Sequence, residues 1–241
     1  LRKRAQDPGA YRKLGRVWLE GDHLCRAALA RGVQPAIAVF SASFWATSPA
    51  EWRGTDVKKT VVVDDDLLRA VSGLESPAPM GFVLDLPARP ELLPDAASVV
   101  LDRLQDAGNA GSILRSAAAF GFSQVIALKG TAALWAPKVL RAGMGAHFGL
   151  RLIEGVAPEV LEALTIPMVA TSSHRGEWLH QARLPHPCAW LMGHEGQGVS
   201  PALEARAARH IRIAQPGGEE SLNVAAAAAI CLHASSALQA G

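Results

Sequence analysis

The chain has 241 residues, of which 49% are hydrophobic, and a mean hydropathy of +0.15, so it can bury a substantial core and is not a disordered segment. No apolar run reaches the roughly 18 residues of a membrane-spanning helix, and the N-terminal stretch lacks the apolar core of a secretory signal, so we expect a cytoplasmic protein with no membrane contact. A net charge of only +2 does not by itself indicate a nucleic-acid partner, and three widely spaced cysteines predict neither a disulfide framework nor a metal site.

Positive charge is concentrated at the N-terminus. Asp7 is the single acid within positions 1–16. The basic residues of that stretch are Arg2, Lys3, Arg4, Arg12, Lys13 and Arg16. Such an arm suits contacts with phosphate groups, and it is equally compatible with a solvated terminal segment.

The first part of the chain predicts a small α/β domain. Strand-like runs lie at 17–20, 36–40 and 60–63, and helical patterns at 22–31, closed by Gly32, and at 65–73, capped by Asp64. The apolar periodicity then lapses in the proline-rich stretch 86–94, where extended conformations are favoured. We therefore predict an N-terminal domain over 1–90 and a second domain over 96–241.

The second part predicts a mainly parallel sheet. Strand-like runs recur at 98–101, 124–128, 149–153, 167–171, 188–192 and 210–213, with helical stretches between most of them. This alternation is typical of an α/β sheet that is covered on both faces. Ligands of such sheets bind at the carboxyl ends of the strands, so we expect the chemistry in the loops that follow them.

The stretch 101–121 contains the first of these loops and a helix with a single charged residue, Arg115. Asn109 is predicted to cap the helix, and Gly111 to allow a close approach of another chain or of a ligand. Gly121 suits the left-handed position that ends a helix. Arg115 stands on an otherwise apolar helix, and that position requires an explanation.

Two further glycine-rich loops follow predicted strands. Residues 193–198 precede Ser200 and Pro201, which are typical of the N-cap and first turn of a helix. Residues 214–221 precede a helix over 222–238, with Ser221 and Asn223 at its start, where free backbone amides favour an anion. Each loop alone is no more than a tight turn before a helix.

Together, the three loops resemble the motifs of the SpoU (TrmH-type) family of SPOUT RNA 2′-O-ribose methyltransferases. The resemblance spans most of residues 96–238. The first motif is matched by Asp102, Asp106, Asn109, Gly111, Ile113, Arg115, Ala118, Phe120 and Gly121. The second is matched by Gly193, Glu195 and Gly198, and the third by Ile213 and residues 221–225. Less sharply, the first domain resembles the small ribosomal-protein-like module that holds RNA in this family.

The resemblance implies a function and a fold. It implies S-adenosylmethionine-dependent methylation of a ribose 2′-hydroxyl in structured RNA, ribosomal or transfer, by a homodimer whose two subunits complete the site. It implies a trefoil knot in the second domain, which general rules of chain topology would not predict. The implied cofactor contacts are Gly193, Ile213, Leu222 and Thr171, and the implied catalytic residues are Arg115, Asn109, Glu195, Ser221 and Asn223. The Thr171 hydroxyl could instead bond its own loop.

Arg115 has two possible catalytic roles. It could act as a base, which requires a neutral guanidine and is therefore costly, or as a cation that orients phosphate and stabilises developing alkoxide charge. Glu195 could pair with Arg115, which would keep the arginine charged and argue against the base role. The purely structural alternative makes Arg115 an ion-pair partner of Asp102 or Asp106.

Several residues keep a second interpretation. Asn109, Asn223 and Ser221 could cap helices as well as orient ribose or phosphate. His194 and residues 214–216 depart from the family pattern, which leaves the substrate open, and His147 is predicted to be structural. A rival function is a non-catalytic RNA-binding dimer of the same fold. A nucleotide-binding dehydrogenase is excluded because no G-x-G-x-x-G follows the first strand.

Overall fold

The computed structural model describes residues 7–48, 50–72, 76–86, 90–172, 175–217 and 221–237. The basic residues Arg2, Lys3 and Arg4 and the predicted helix end at Gly73 lie outside these ranges. The first unit consists of helices α1 (Ala10–Leu14), α2 (Asp22–Ala30), α3 (Ala42–Thr47), α4 (Ala50–Arg53) and α5 (Asp65–Val71) with strands β1 (Arg16–Glu20), β2 (Ile37–Ser41), β3 (Thr60–Val63) and β4 (Met80–Asp85).

The first unit forms a four-stranded sheet in the order β1-β4-β2-β3. Strand β4, which pairs antiparallel with both β1 and β2, was not predicted, although it occupies the centre of the sheet. Gly81 explains how β4 fits there, since a Cβ at this position would lie 2.3 Å from the Trp18 ring and 2.4 Å from the Leu19 carbonyl oxygen. Asp64 precedes α5 as predicted, but its side chain makes no capping hydrogen bond.

The second unit forms a seven-stranded sheet. Its strands are β5 (Ser98–Leu101), β6 (Gln124–Leu128), β7 (Arg151–Val156), β8 (Met168–Thr171), β9 (Glu177–Trp178), β10 (Ala189–Met192) and β11 (Arg209–Arg212). Its helices are α6 (Ala107–Ala119), α7 (Pro137–Gly143), α8 (Pro201–Glu204) and α9 (Val224–Ala237). The strand order is β7-β6-β5-β10-β8-β11-β9, and every pairing is parallel, which confirms the predicted mainly parallel sheet.

The central strands of the sheet are buried on both faces, as the strands of parallel sheets usually are. Every residue of β5, β6 and β10 is buried, and Trp190 in β10 donates its ring N–H to the Ser235 hydroxyl of α9 at 2.9 Å. Helices α6 and α7 pack closely because Gly111 has no side chain; a Cβ there would lie 2.6 Å from the Val139 carbonyl oxygen. Gly111 thus allows a close approach, but the partner is this chain's own helix α7 and not the other chain or ligand that the sequence predicted.

The two units contact each other through polar and apolar groups. The Tyr11 hydroxyl of α1 donates to both carboxylate oxygens of Glu154 in β7, at 2.5 and 2.6 Å. Burial, followed by the charge and hydrogen bonding of Glu154, raises the pKa of Tyr11, so this phenol stays protonated as the donor. No helix of the described ranges is long and apolar enough to cross a membrane.

His147 is buried in the interior, as predicted for a structural residue, and is 2% exposed. Its Nε2 lies 2.9 Å from the Leu134 carbonyl oxygen, and burial lowers its pKa to about 4. In the unfolded chain His147 is protonated below about pH 6.5, whereas in the folded chain it is protonated only below about pH 4.

We expect the free energy of unfolding to fall by about 3 kcal/mol as the pH drops from 7 to 4 because of His147. Denaturant titrations of wild type and His147→Leu at both pH values measure this contribution. The His147→Leu chain should lose less stability on acidification, whereas the exposed His180→Gln control should behave as wild type. Equal acid sensitivity of wild type and His147→Leu would contradict the assignment.

Candidate functional site

A cavity of about 880 Å³ lies at the carboxyl ends of three central strands. Thr171 ends β8, Gly193 directly follows β10, and Ile213 directly follows β11. All three residues line the cavity, as does Leu222 just before α9. The fold thus brings together the four residues that the family resemblance implies as cofactor contacts, although Thr171 and Leu222 are 51 positions apart in the chain.

The loop 193–198 folds back on itself and leaves no room for a side chain at Gly193. His194 N–H donates to the Gly198 carbonyl oxygen at 3.0 Å, and Gly198 N–H donates to the His194 carbonyl oxygen at 2.8 Å. A Cβ on Gly193 would lie 2.0 Å from the Gly198 carbonyl carbon, so only glycine fits. The His194 ring accepts a hydrogen bond from Gly196 N–H at 3.0 Å. This histidine, which departs from the family pattern, therefore helps to shape the turn.

Glu195 is held by the start of the first motif. One carboxylate oxygen accepts from Asp106 N–H at 2.9 Å and from the Asn109 amide at 3.3 Å, and the other accepts from Gln105 N–H at 3.2 Å. Partial desolvation raises the pKa of the Glu195 carboxyl, but hydrogen bonds from the backbone amides of Asp106, Glu195 and Gln105 and from the Asn109 side chain outweigh it and hold the pKa below its usual value. Glu195 is therefore an ionised acceptor beside the positive end of α6.

Two asparagines extend this network to the third motif. The Asn223 side-chain amide donates to the Asn109 side-chain oxygen at 3.0 Å. The Asn223 oxygen in turn accepts from the backbone amides of Ala225 and Ala226 at 2.9 and 3.2 Å, so Asn223 caps α9 as predicted. The chain Glu195–Asn109–Asn223 therefore joins all three predicted loops by direct hydrogen bonds.

Asn109 itself does not cap α6, so that prediction is wrong. The helix begins earlier, at Ala107, and Asp106 is the N-cap; its carboxylate accepts from Asn109 N–H at 2.7 Å. Because Asp106 satisfies this backbone amide, the Asn109 side chain is available for Glu195 and Asn223. Gly121 follows the helix with φ +78°, as predicted for the left-handed position.

Ser221 and Thr171 both line the cavity but differ in their contacts. Ser221 is exposed there. The Thr171 hydroxyl donates to the Leu191 carbonyl oxygen of the neighbouring strand at 3.3 Å, rather than to its own loop. Thr171 can therefore offer its methyl group and backbone to a ligand without disturbing this bond.

Arg115 is not brought into this network. It is exposed, and within the described ranges it forms no hydrogen bond or ion pair, with Glu195 or any other residue. It follows Asn109 by six positions, and at about 100° per residue this leaves the two side chains about 120° apart around the axis of α6. The proposed pairing with Asp102 or Asp106 is also wrong, since Asp102 bonds Arg103 and Ser200 and Asp106 caps the helix.

Sequence analysis missed the links made by Asp102 and Arg103. The buried Asp102 carboxylate accepts from Ser200 N–H at 2.6 Å and from the Arg103 guanidinium at 3.1 Å. Ser200 thus occupies the predicted N-cap position of α8 but makes no side-chain cap. Arg103, with φ +58°, also donates to the Gln197 side-chain oxygen at 2.9 Å. The position of Asp102, an acid directly after the buried strand β5, was the sequence feature that could have indicated these links.

The cavity has the chemistry of a nucleoside site. One part of its wall is apolar and includes Val199, Ile211, Ile213 and Val224, while the loop at 193–198 contributes backbone polar groups. The wall also contains a side-chain amide oxygen, on Gln215, that is buried without a partner among the described residues. No three His, Cys, Asp or Glu side chains of the described chain are grouped to hold a metal ion. The apolar wall, the backbone polar groups and the Gln215 amide fit S-adenosylmethionine.

Comparison with known proteins agrees with this geometry. The family model described as the SpoU rRNA methylase family matches residues 96–233. The chain is 31% identical over 176 residues to the 23S rRNA (guanosine(2553)-2'-O)-methyltransferase RlmP of Bacillus subtilis, a match that covers 71% of this chain and 70% of that protein.

Solved structures show the same fold over nearly the whole chain. A crystal structure of an RNA 2'-O ribose methyltransferase superposes with a TM-score of 0.81 at 27% identity and covers 100% of this chain and 94% of the other. The SpoU methyltransferase AviRb from Streptomyces viridochromogenes, in complex with AdoMet, superposes with a TM-score of 0.88 at 24% identity and covers 100% of this chain and 96% of AviRb.

Proposed function

This chain belongs to the SpoU rRNA methylase family, and we propose that it transfers the methyl group of S-adenosylmethionine to a ribose 2′-hydroxyl of structured RNA, ribosomal or transfer, in the cytoplasm. The observation that carries the proposal is the cavity at the carboxyl ends of β8, β10 and β11, with the Glu195–Asn109–Asn223 chain beside it. In this proposal the cavity binds the cofactor, and the hydrogen-bonded chain of polar residues orients the ribose.

The cofactor is held mainly by backbone. Gly193, Ile213, Leu222 and Thr171 all line the cavity and would hold the cofactor there, as the family motifs imply. When bound, S-adenosylmethionine supplies a methyl group on a sulfonium that an oxygen nucleophile can attack. The tight turn at 193–198 keeps this part of the wall fixed, which lowers the entropic cost of alignment.

The polar residues act on the RNA. Asn109 and Asn223 orient the ribose or its phosphate, and Ser221 contributes a hydroxyl from the cavity wall. Glu195 fixes Asn109 and stays ionised, because its pKa lies below the usual value. Arg115 remains a cation that binds the neighbouring phosphate and stabilises charge that develops on the 2′-oxygen, since a neutral guanidine is costly to form.

Arg115 reaches the site from a second copy of the chain. In one chain it lies about 120° around α6 from the side that carries Asn109, and it is exposed. The neighbouring helix α9 supports a homodimer: it contains no Asp, Glu, Lys or Arg, yet Ala226 is exposed and Ile230 is 41% exposed. An uncharged exposed helix face of this kind is suited to burial against a second copy.

The strand order of the second domain and the presence of the first domain also fit the family. Strand β10 follows β8 and β9 in the chain but lies between β5 and β8, an order compatible with the trefoil knot that the family uses. The first domain, 1–90, which resembles the ribosomal-protein-like module of the family, holds the RNA together with the basic residues near the N-terminus. Tyr11 and Glu154 connect this domain to the methyltransferase domain, 96–241.

Mass mapping of ribose methylation tests the proposed function. Ribosomal and transfer RNA from cells with and without the protein are digested and compared for 2′-O-methylated nucleotides. We expect one or a few sites to lose their methyl group in the absence of the protein and to regain it on incubation with purified protein and S-adenosylmethionine. If no site responds and calorimetry detects no S-adenosylmethionine binding, the chain is the non-catalytic RNA-binding dimer instead.

Replacing Glu195 by glutamine should lower the methylation rate by about tenfold or more, because a charged acceptor of three hydrogen bonds is lost and Asn109 is no longer held. The affinity for S-adenosylmethionine should change much less, since Glu195 bonds the first motif rather than the apolar wall. Single-turnover rates and calorimetric affinities measure the two effects separately. A matched loss of cofactor affinity would mean that Glu195 holds the cofactor and not the ribose-binding residues.

A further inference from the structure

Gln215 lies in the cavity wall two residues after Ile213, and its side-chain oxygen is buried without a hydrogen-bond partner among the described residues. Leaving an amide oxygen unpaired is costly, and such groups in native proteins call for an explanation. Buried ring nitrogens of His147 and His210 also lack partners in the described part of the chain, but neither residue lines the cavity. Gln215 therefore combines an unpaired polar atom with a position in the cavity wall.

Two other polar side chains of the cavity wall already have partners. The Thr171 hydroxyl donates to the Leu191 carbonyl oxygen, and the Gln197 oxygen accepts from Arg103. Gln215 lines the same cavity as the apolar residues Ile211, Ile213 and Val224, which suit the flat face of a purine. Rotation about its terminal torsion is soft, so the amide can turn toward a bound ring at little cost.

A side-chain amide matches the edge of adenine. It has an acceptor beside a donor, and adenine has an amino donor at N6 beside the acceptors N1 and N7; glutamine and asparagine read adenine in DNA by this pairing. We propose that Gln215 hydrogen-bonds the adenine ring of the cofactor and makes the site selective for adenosyl over other nucleosides. The proposal rests on the proposed function, because it takes the cavity to be the S-adenosylmethionine site.

Calorimetry with two ligands tests the proposal on the full chain. S-adenosylhomocysteine carries the adenine amino donor, whereas S-inosylhomocysteine has an acceptor oxygen in its place. We expect wild type to bind the adenosyl compound about tenfold to a hundredfold more tightly, and Gln215→Met to reduce this preference by about tenfold. The exposed Gln181→Met, outside the cavity, is the matched control and should keep the wild-type preference.

The outcomes separate this proposal from the proposed function. If wild type binds S-adenosylhomocysteine but shows no preference over the inosyl compound, or if Gln215→Met keeps the full preference, Gln215 does not read the ring and the function stands. If wild type binds neither compound, the proposed function fails as well. Thermal unfolding of Gln215→Met, expected to match wild type or exceed it because a buried unpaired oxygen is removed, excludes misfolding as the cause.

Discussion

Replacing Arg115 by alanine is expected to lower the methyl-transfer rate by about a hundredfold to a thousandfold, because the cation that stabilises charge on the 2′-oxygen is lost. The affinity for S-adenosylmethionine should not change, since Arg115 does not line the cavity. Single-turnover methylation of the target RNA and calorimetry with S-adenosylmethionine measure the two quantities. Arg183→Ala, which also removes an exposed arginine, is the control and should retain wild-type activity.

The Arg115→Lys variant separates the two chemical roles of the residue. A lysine keeps the positive charge, so the electrostatic role predicts partial activity that does not increase with pH. A titratable amine that acts as a base would instead give a rate that rises with pH as the amine loses its proton. A rising profile would overturn the electrostatic assignment, and unchanged turnover of Arg115→Ala would remove Arg115 from the mechanism altogether.

Gly193→Ala is expected to abolish S-adenosylmethionine binding. The new Cβ would lie 2.0 Å from the Gly198 carbonyl carbon and 2.1 Å from the Val199 nitrogen, both backbone atoms that cannot move without opening the turn. The loop would lose its cavity-lining shape, while the sheet, whose strands end before it, stays folded. Calorimetry measures the affinity and circular dichroism the fold.

A second glycine provides the control for Gly193. A Cβ on Gly217 meets no atom of the described residues within 4 Å, so Gly217→Ala should bind S-adenosylmethionine as wild type does. Gly193→Ala should also lose activity to the same extent as binding, because without the cofactor no methyl group is available. Wild-type affinity in Gly193→Ala would show that the turn at 193–198 is not part of the cofactor site.

Much of the second domain could be predicted from the sequence. Strands such as β5 and β6 are short, mostly apolar runs bounded by turn residues, and their burial on both faces produces that pattern directly. The three loops could be found because chemistry at the ends of parallel strands depends on glycine and polar residues at fixed positions. Strand β4 is a buried apolar run of the same kind, but it was missed because Gly81 within it and the prolines just before it are more typical of a loop than of a strand.

The details of the site depended on contacts between distant segments. Asp106 and Asn109 are both good N-cap residues, and only the position of the first helical turn decided that Asp106 caps α6. Glu195 bonds backbone amides 89 and 90 positions away, a contact that residue types alone do not encode. The same holds for Arg115, whose single charge was evident from the sequence, whereas its direction away from Glu195 required the helix geometry.

Activity of mixed dimers is the most direct measurement of the central claim, that the cavity of one copy and Arg115 of another form each methylation site. Arg115→Ala and Gly193→Ala chains are mixed, unfolded and refolded together, and assayed for ribose methylation. Because half of the dimers then hold one chain of each kind, each with one intact site, we expect about a quarter of wild-type activity from two inactive parents. A mixture as inactive as its parents would contradict a site shared between copies.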